Sequence, residues 1–292
     1  MNRPVYISIG DSLVSGEGVG QETPHEQAWA GLVSRAAGAR FVGLARGGAP
    51  IASVLEHQLP QARALCPSVA CLSAGMNDMF RSGGADRVDD ALERLVCGLR
   101  DTGAIVVVGR LHDPTTRLPM PDAAARGVRA HTATINARLE QLARDPGVVL
   151  LDMDALLDRK ECWAVDRMHP SGYGHRVLAA GAARRLGLVD PVPLGVAPKA
   201  PSEAAFYRWA LTYGVPWLML RTPEFMGSPK LRRKALTALG FPGRPAGDAL
   251  RVRSVPAALP DGVVVGRAGH VLGAEVAARG GDWIAEPVAG LR

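Results

Sequence analysis

Aromatic side chains are scarce in this chain: only 5% of its 292 residues are Phe, Trp or Tyr. Any core must be built mainly from aliphatic residues. With 47% of the chain apolar there are enough of these to exclude disorder over most of its length. No apolar run approaches the ~20 residues that a membrane-spanning helix needs. Met1-Asn2-Arg3-Pro4 leads straight into a strand-like run, which leaves no room for a signal peptide, so the expected compartment is the cytoplasm. Cysteine is sparse too. Cys66, Cys71, Cys97 and Cys162 include no Cys-x-x-Cys pair and no histidine placed to complete a zinc site. A disulfide framework is not expected, and Cys71 and Cys97, in apolar surroundings, read as buried thiols. No carboxylate–histidine cluster and no phosphate-loop pattern occurs, so neither a metal nor another cofactor is expected.

Charge is unevenly placed. The net charge is +6. Residues 193–292 hold 13 basic and 7 acidic side chains, and the rest of the chain is balanced at 21 of each. A basic tail can mark a nucleic-acid partner. Here only Arg232-Arg233-Lys234 stands out, and a solvated helix face is the preferred reading, with no nucleic acid expected.

Five apolar, β-rich runs are present: Val5–Ile9, Arg40–Leu44, Val69–Ser73, Ile105–Gly109 and Val148–Asp152. Their continuous apolar character suits strands covered on both faces. Helical stretches are predicted between and after them, over Glu26–Ala37, Ile51–Leu65, Asp86–Thr102, Ala123–Arg144 and Gly172–Leu186. This alternation predicts an α/β fold with a parallel sheet. A proline-rich linker around Asp190–Pro201 divides residues 1–192, the expected catalytic domain, from a C-terminal extension over 193–292. In the extension, Ser202-Glu203 is expected to start a helix running to Leu220 with a break at Pro216. Trp209, Tyr213 and Trp217 recur along that helix at roughly helical spacing, and a short β-like piece is read at Gly262–Val265. The extension is a candidate lid, or a face through which the chain forms a homo-oligomer.

Four short blocks carry the chemistry. Gly10-Asp11-Ser12-Leu13 follows the first strand, Arg46-Gly47-Gly48-Ala49 the second and Gly75-Met76-Asn77-Asp78 the third. Asp166-Arg167-Met168-His169-Pro170 precedes the last helix of the sheet. In an open parallel sheet these positions can converge on one crevice. Each block alone has a plain structural reading: Ser12 as a turn cap, Asn77-Asp78 as a turn pair, Asp166 and His169 as a surface pair at a helix start. Together they fit nucleophilic catalysis. A serine hydroxyl needs a base, and His169 titrates in the right range. Asp166 can hold the other ring nitrogen. The backbone N–H groups of Ser12 and Gly48 and the Asn77 amide can meet an oxyanion, with Gly47 as the alternative to Gly48. Asp11 is expected to order the turn around Ser12. His112 is a candidate pocket-lining residue, about as readily read as an exposed loop residue. Asp11, Gly47 and His112 complete the candidate substrate-binding set.

These blocks resemble those of the GDSL/SGNH hydrolase family, whose serine, glycine, asparagine and histidine fall here on Ser12, Gly48, Asn77 and His169. The resemblance covers about residues 3–190. It implies a flavodoxin-like three-layer α/β/α domain with a five-stranded parallel sheet. It also implies esterase, lipase, thioesterase or carbohydrate deacetylase activity, without choosing among them. The expected reaction is hydrolysis of a small-molecule acyl ester through an acyl-serine. One alternative is transfer of the same acyl group to an alcohol or amine. The other is a non-catalytic module that binds an acidic partner through its basic tail.

Overall fold

The computed structural model describes residues 3–18, 22–80, 84–188 and 192–216, together with the backbone of 274–279 and 282–287. Strand β1 (Val5–Gly10) is followed by a one-turn helix α1 (Ser12–Ser15) and by α2 (Trp29–Ala36). Strand β2 (Arg40–Gly43) leads into α3, which comprises Ile51–Ser53, a π-helical turn Val54–Gln58 and Leu59–Ala64. Next come β3 (Val69–Ser73), a 3-10 turn Met76–Phe80, α4 (Gly84–Arg100) and β4 (Ile105–Arg110). Helix α5 (Asp122–Leu142), β5 (Val148–Asp152), α6 (Met153–Leu156) and α7 (Gly172–Arg185) complete the layered domain. Beyond the linker lies α8 (Glu203–Trp209), and a separate antiparallel pair, β6 (Ala274–Arg279) and β7 (Asp282–Pro287), comes later in the chain.

The first five strands form one parallel sheet in the order β2-β1-β3-β4-β5. From β1 the chain steps out to β2 and then crosses back to β3 on the other side. The crevice at the C-terminal ends of β1 and β3 is therefore the topological switch point, where open α/β sheets bind ligands. The central strands explain why the runs read as uninterrupted apolar sequence: Ile7, Ile9, Ala70, Leu72, Val106, Val107 and Val108 are all at most 1% exposed, so both faces of the sheet are covered. At the edges, β2 and β5 keep half-buried positions.

Each of the five strands expected for the sheet is present, with ends shifted by one residue at most. The helices depart in two informative places. The stretch expected over Glu26–Ala37 opens as a 3-10 turn at His25–Gln27, and α2 begins only after an extended Ala28. The Trp29 N–H is then taken by His175 Nδ1 of α7, 3.3 Å away, a tertiary cap that no local pattern announces. The stretch over Ile51–Leu65 widens into a π turn just before Pro60. Proline has no N–H for the carbonyl four residues back and its ring crowds that carbonyl. The Leu59 N–H reaches instead to Val54 O. One cysteine reading is corrected: Cys97 is exposed, because it falls on the outer face of α4, whereas Cys71 and Cys162 are buried.

In the extension, Ser202 caps α8 by accepting from the Ala205 N–H, and the helix loosens to a π turn over Ala210–Gly214 ahead of Pro216. Trp217, Leu220, Arg232, Arg233, Lys234 and Gly262–Val265 lie outside the described residues. Among the described residues, no helix is long and apolar enough to cross a membrane.

Candidate active site

Gly10 ends β1 at φ +126°, and a Cβ there would stand 1.8 Å from Ser73 O of β3. Only glycine lets the first strand turn this sharply against its neighbour. The buried Gln58 side chain then clamps both backbone groups of Gly10. It accepts from the Gly10 N–H at 2.7 Å and donates to Gly10 O at 2.9 Å. The π turn is what swings Gln58 onto β1, in keeping with the frequent placement of π-bulges at functional sites. Asp11 caps the one-turn helix by accepting from the Leu13 N–H at 3.0 Å. Ser12 is its first residue, where a backbone N–H has no intrahelical acceptor.

Ser12 Oγ lies 2.9 Å from His169 Nε2, and His169 Nδ1 lies 2.6 Å from Asp166 Oδ2. The residues are 157 apart in sequence at the first link and three apart at the second. The other Asp166 oxygen accepts from the Met168 and His169 N–H groups at 3.0 and 2.9 Å, so the carboxylate is fully engaged. Burial alone would raise the Asp166 pKa, but His169 and these donors override it and hold the carboxyl below its ordinary value. Burial likewise pulls the His169 pKa down, and Asp166 more than offsets this, leaving the imidazole above its ordinary 6.5. A cavity of about 330 Å³ opens on this imidazole, walled by Gly16, Gly18, Glu22, Thr23, Ala164, Pro170, Ser171 and Gly172.

The other two blocks arrive beside Ser12. Gly48 adopts φ +70° in the turn after β2. Glu17 accepts a hydrogen bond from the Gly47 N–H, and its second oxygen lies 3.6 Å from His25 Nε2. Burial works against the ionised Glu17, yet His25 and the Gly47 N–H keep its carboxyl below the ordinary range. The Gly47 N–H is thereby engaged within the fold. Asn77, half-buried after β3, holds its amide nitrogen 3.3 Å from Ala49 O and 3.5 Å from Asp11 Oδ2. His131 of α5 steadies this block with a 2.9 Å contact to Gly75 O.

Asp11 and His112 are fully buried, and neither lines the cavity. Asp11 is pushed up to about 7, chiefly by burial and further by Asp78, against the pull of Leu13 N–H and His169. His112 packs its ring 4.7 Å from Trp163, whose other neighbour is the Arg117 guanidinium at 3.8 Å. Among the described residues, neither ring nitrogen of His112 has a hydrogen-bond partner. Burial, then Arg117 and His169, push its pKa down to about 3. An unfolded histidine takes up its proton near 6.5, so the contribution of His112 is complete above that pH and is lost as pH falls toward 3. His112→Phe, which keeps a ring against Trp163, is expected to flatten the acid-side loss of stability. Urea midpoints at about pH 7 and about pH 5 check this. An unchanged slope would mean that the buried ring is already charged.

Gln58, Glu17, His131 and His175 are supporting residues without a sequence signal. Each acts on backbone or side chains brought near only by folding; the Gln58–Gly10 clamp spans 48 positions.

A parallel sheet in the flavodoxin-like order, with a serine, a glycine turn and an asparagine at neighbouring strand ends and a histidine-bearing loop above them, defines a hydrolase of the three-layer α/β class. The chain belongs to the GDSL-like lipase/acylhydrolase family, whose model matches residues 8–177. Solved structures share the fold at low identity. A protein from Desulfitobacterium hafniense DCB-2 assigned to the G-D-S-L lipolytic family is 15% identical with a TM-score of 0.52, and the match covers 63% of this chain and 99% of that one. A catalytic mutant of Axe2, an acetylxylan esterase from Geobacillus stearothermophilus, is 18% identical at a TM-score of 0.50, covering 64% and 96%. LAE5, an α/β hydrolase enzyme from the metagenome of Lake Arreo, Spain, is 19% identical at a TM-score of 0.50, covering 64% and 96%. No curated protein sequence matches the chain.

Proposed function

We propose that this hydrolase is an esterase that cleaves a carboxylic ester through an acyl-serine at Ser12. The observation that carries this reading is the unbroken chain from Ser12 Oγ to His169 to Asp166, at 2.9 and 2.6 Å. His169 Nε2 takes the hydroxyl proton as Oγ attacks the acyl carbon, and then returns it to the leaving alcohol. Asp166 keeps the proton-bearing Nδ1 turned toward itself and stabilises the imidazolium. Water, deprotonated by the same nitrogen, releases the acid and restores Ser12.

The tetrahedral oxyanion is met by the Ser12 and Gly48 backbone N–H groups and the Asn77 amide. Asn77→Ala is expected to lower kcat by ~10²–10³, since a donor aimed at developing charge contributes most at the transition state. KM should change little, and steady-state kinetics on p-nitrophenyl acetate check both. The cavity wall combines Gly16, Gly18 and Gly172 with Thr23, Ser171, Ala164, Pro170 and Glu22, mostly short side chains, and this supports a small acyl or alcohol group over a long aliphatic chain.

The test is a fluorophosphonate probe read by intact mass and peptide mapping. One adduct on Ser12 is expected. No adduct, or one on another residue, would overturn the mechanism.

A further inference from the structure

The turn that carries Asp166 and His169 is built around an unfavourable residue. For the Met168 and His169 N–H groups to fold back onto Asp166, the chain reverses at Arg167, which adopts φ +58°. A side chain with a Cβ avoids this left-handed region, and such a conformation persists only where its surroundings over-determine it. Within the turn, the Arg167 N–H donates to Ala164 O at 3.0 Å and the Ala164 N–H to His169 O at 2.9 Å. The remaining hold comes from outside the hydrolase domain. Arg167 Nη2 lies 2.5 Å from Glu203 Oε1, and the guanidinium carbon stands 4.0 Å over the Phe206 ring. Both partners belong to α8. Phe206 is buried, only 4% exposed, although its neighbours Tyr207 and Leu211 are open to solvent. The linker is fastened as well: Val192 is buried in the domain core and Arg176 Nε donates to Leu194 O at 2.7 Å.

We propose that Arg167 is a positioning residue through which α8 of the C-terminal extension holds the Asp166–His169 turn in its working geometry. This rests on the reading of Ser12, His169 and Asp166 as the reacting unit of an esterase. Arginine suits the task because its planar head can stack on an aromatic face while its edge meets a carboxylate. Released from Phe206 and Glu203, the turn can relax at Arg167 and carry His169 away from Ser12. A displacement of about 1 Å at a reacting group can cost ~10² in rate.

The experiment compares full-length wild type with Ser12→Ala, Arg167→Ala, Phe206→Ala, Glu203→Lys and the Arg167→Ala/Phe206→Ala double variant on p-nitrophenyl acetate. Arg167→Ala and Phe206→Ala are each expected to lower kcat about tenfold with KM held within about twofold. The double variant should lose no more than the worse single, because both break one latch. The far-downfield proton resonance of His169 Nδ1–H should broaden in Phe206→Ala, which a role in overall stability alone would not cause while the variant stays folded. Glu203 is exposed, so Glu203→Lys tests the latch without touching the core and should lower kcat as well. It decides the matter should the Phe206 variant not fold. Wild-type kcat in Phe206→Ala or, failing that, in Glu203→Lys would overturn the proposal. So would a double loss equal to the product of the singles. Turnover that survives Ser12→Ala would instead overturn the esterase reading, which keeps the two failures apart.

Discussion

Ser12→Ala is expected to abolish ester hydrolysis, with kcat falling on the order of 10⁶-fold, while the fold is retained. The size of the loss reflects the arrangement. On the proposed mechanism the Oγ atom forms the covalent bond, and its hydrogen bond at 2.9 Å is to the imidazole that would activate it. Members of such a unit fail together, so His169→Ala should be about as severe and the double variant little worse. The fold should survive because the turn around Ser12 is set by other groups: Gly10 in its left-handed conformation, the Gln58 clamp and the Asp11 cap. Loss of p-nitrophenol release with an unchanged near-ultraviolet circular dichroism spectrum is the expected pair of observations. Substantial turnover in the variant would remove Ser12 from the mechanism.

Asp166→Asn should separate orientation from charge. On the proposed mechanism, wild-type kcat/KM should rise with pH as His169 loses its proton, and because Asp166 raises the imidazole pKa this acid limb should lie above the ordinary 6.5. A neighbouring carboxylate favours the protonated base, so neutralising it makes deprotonation easier and moves the limb to lower pH. Burial, no longer opposed by that charge, pushes the same way. Asp11, which also faces His169, remains and retains part of the upward pull. The plateau should nevertheless fall by about 10⁴, because an amide can stabilise the wrong ring tautomer and cannot stabilise the imidazolium. A kcat/KM profile between about pH 5 and about pH 9 tests both effects. A limb that stays in place would show that Asp166 does not set the His169 titration.

Much of this arrangement is legible in the sequence, and the reason is local. A strand covered on both faces writes an uninterrupted apolar run, so β1, β3 and β4 are visible at almost their full extent. The residues of the first three blocks also sit at strand ends, where topology alone brings them together, and the fourth lies on the loop just before α7. What escapes is support delivered across the fold. Gln58 looks like any polar helix residue until the π turn points it at Gly10. Glu17 reads as a loop carboxylate until the Gly47 peptide meets it. Arg167 looks like a solvated side chain within the last block until α8 arrives over it. Cys97 fails in the opposite direction: apolar neighbours in sequence surround it, but helical periodicity turns it outward.

The widened turn at Val54–Gln58 also makes a demand on chain length. A π turn can be read as one residue more than a regular helix would use. Deleting a single residue there would let the segment wind as ordinary α-helix, rotating the downstream half of α3 by about 100° relative to the upstream half. The shorter helix would be the more regular one, yet its amide would no longer grip the end of the first strand. Natural or engineered shortening at this point would therefore gain local regularity at the expense of a loosened turn around Ser12.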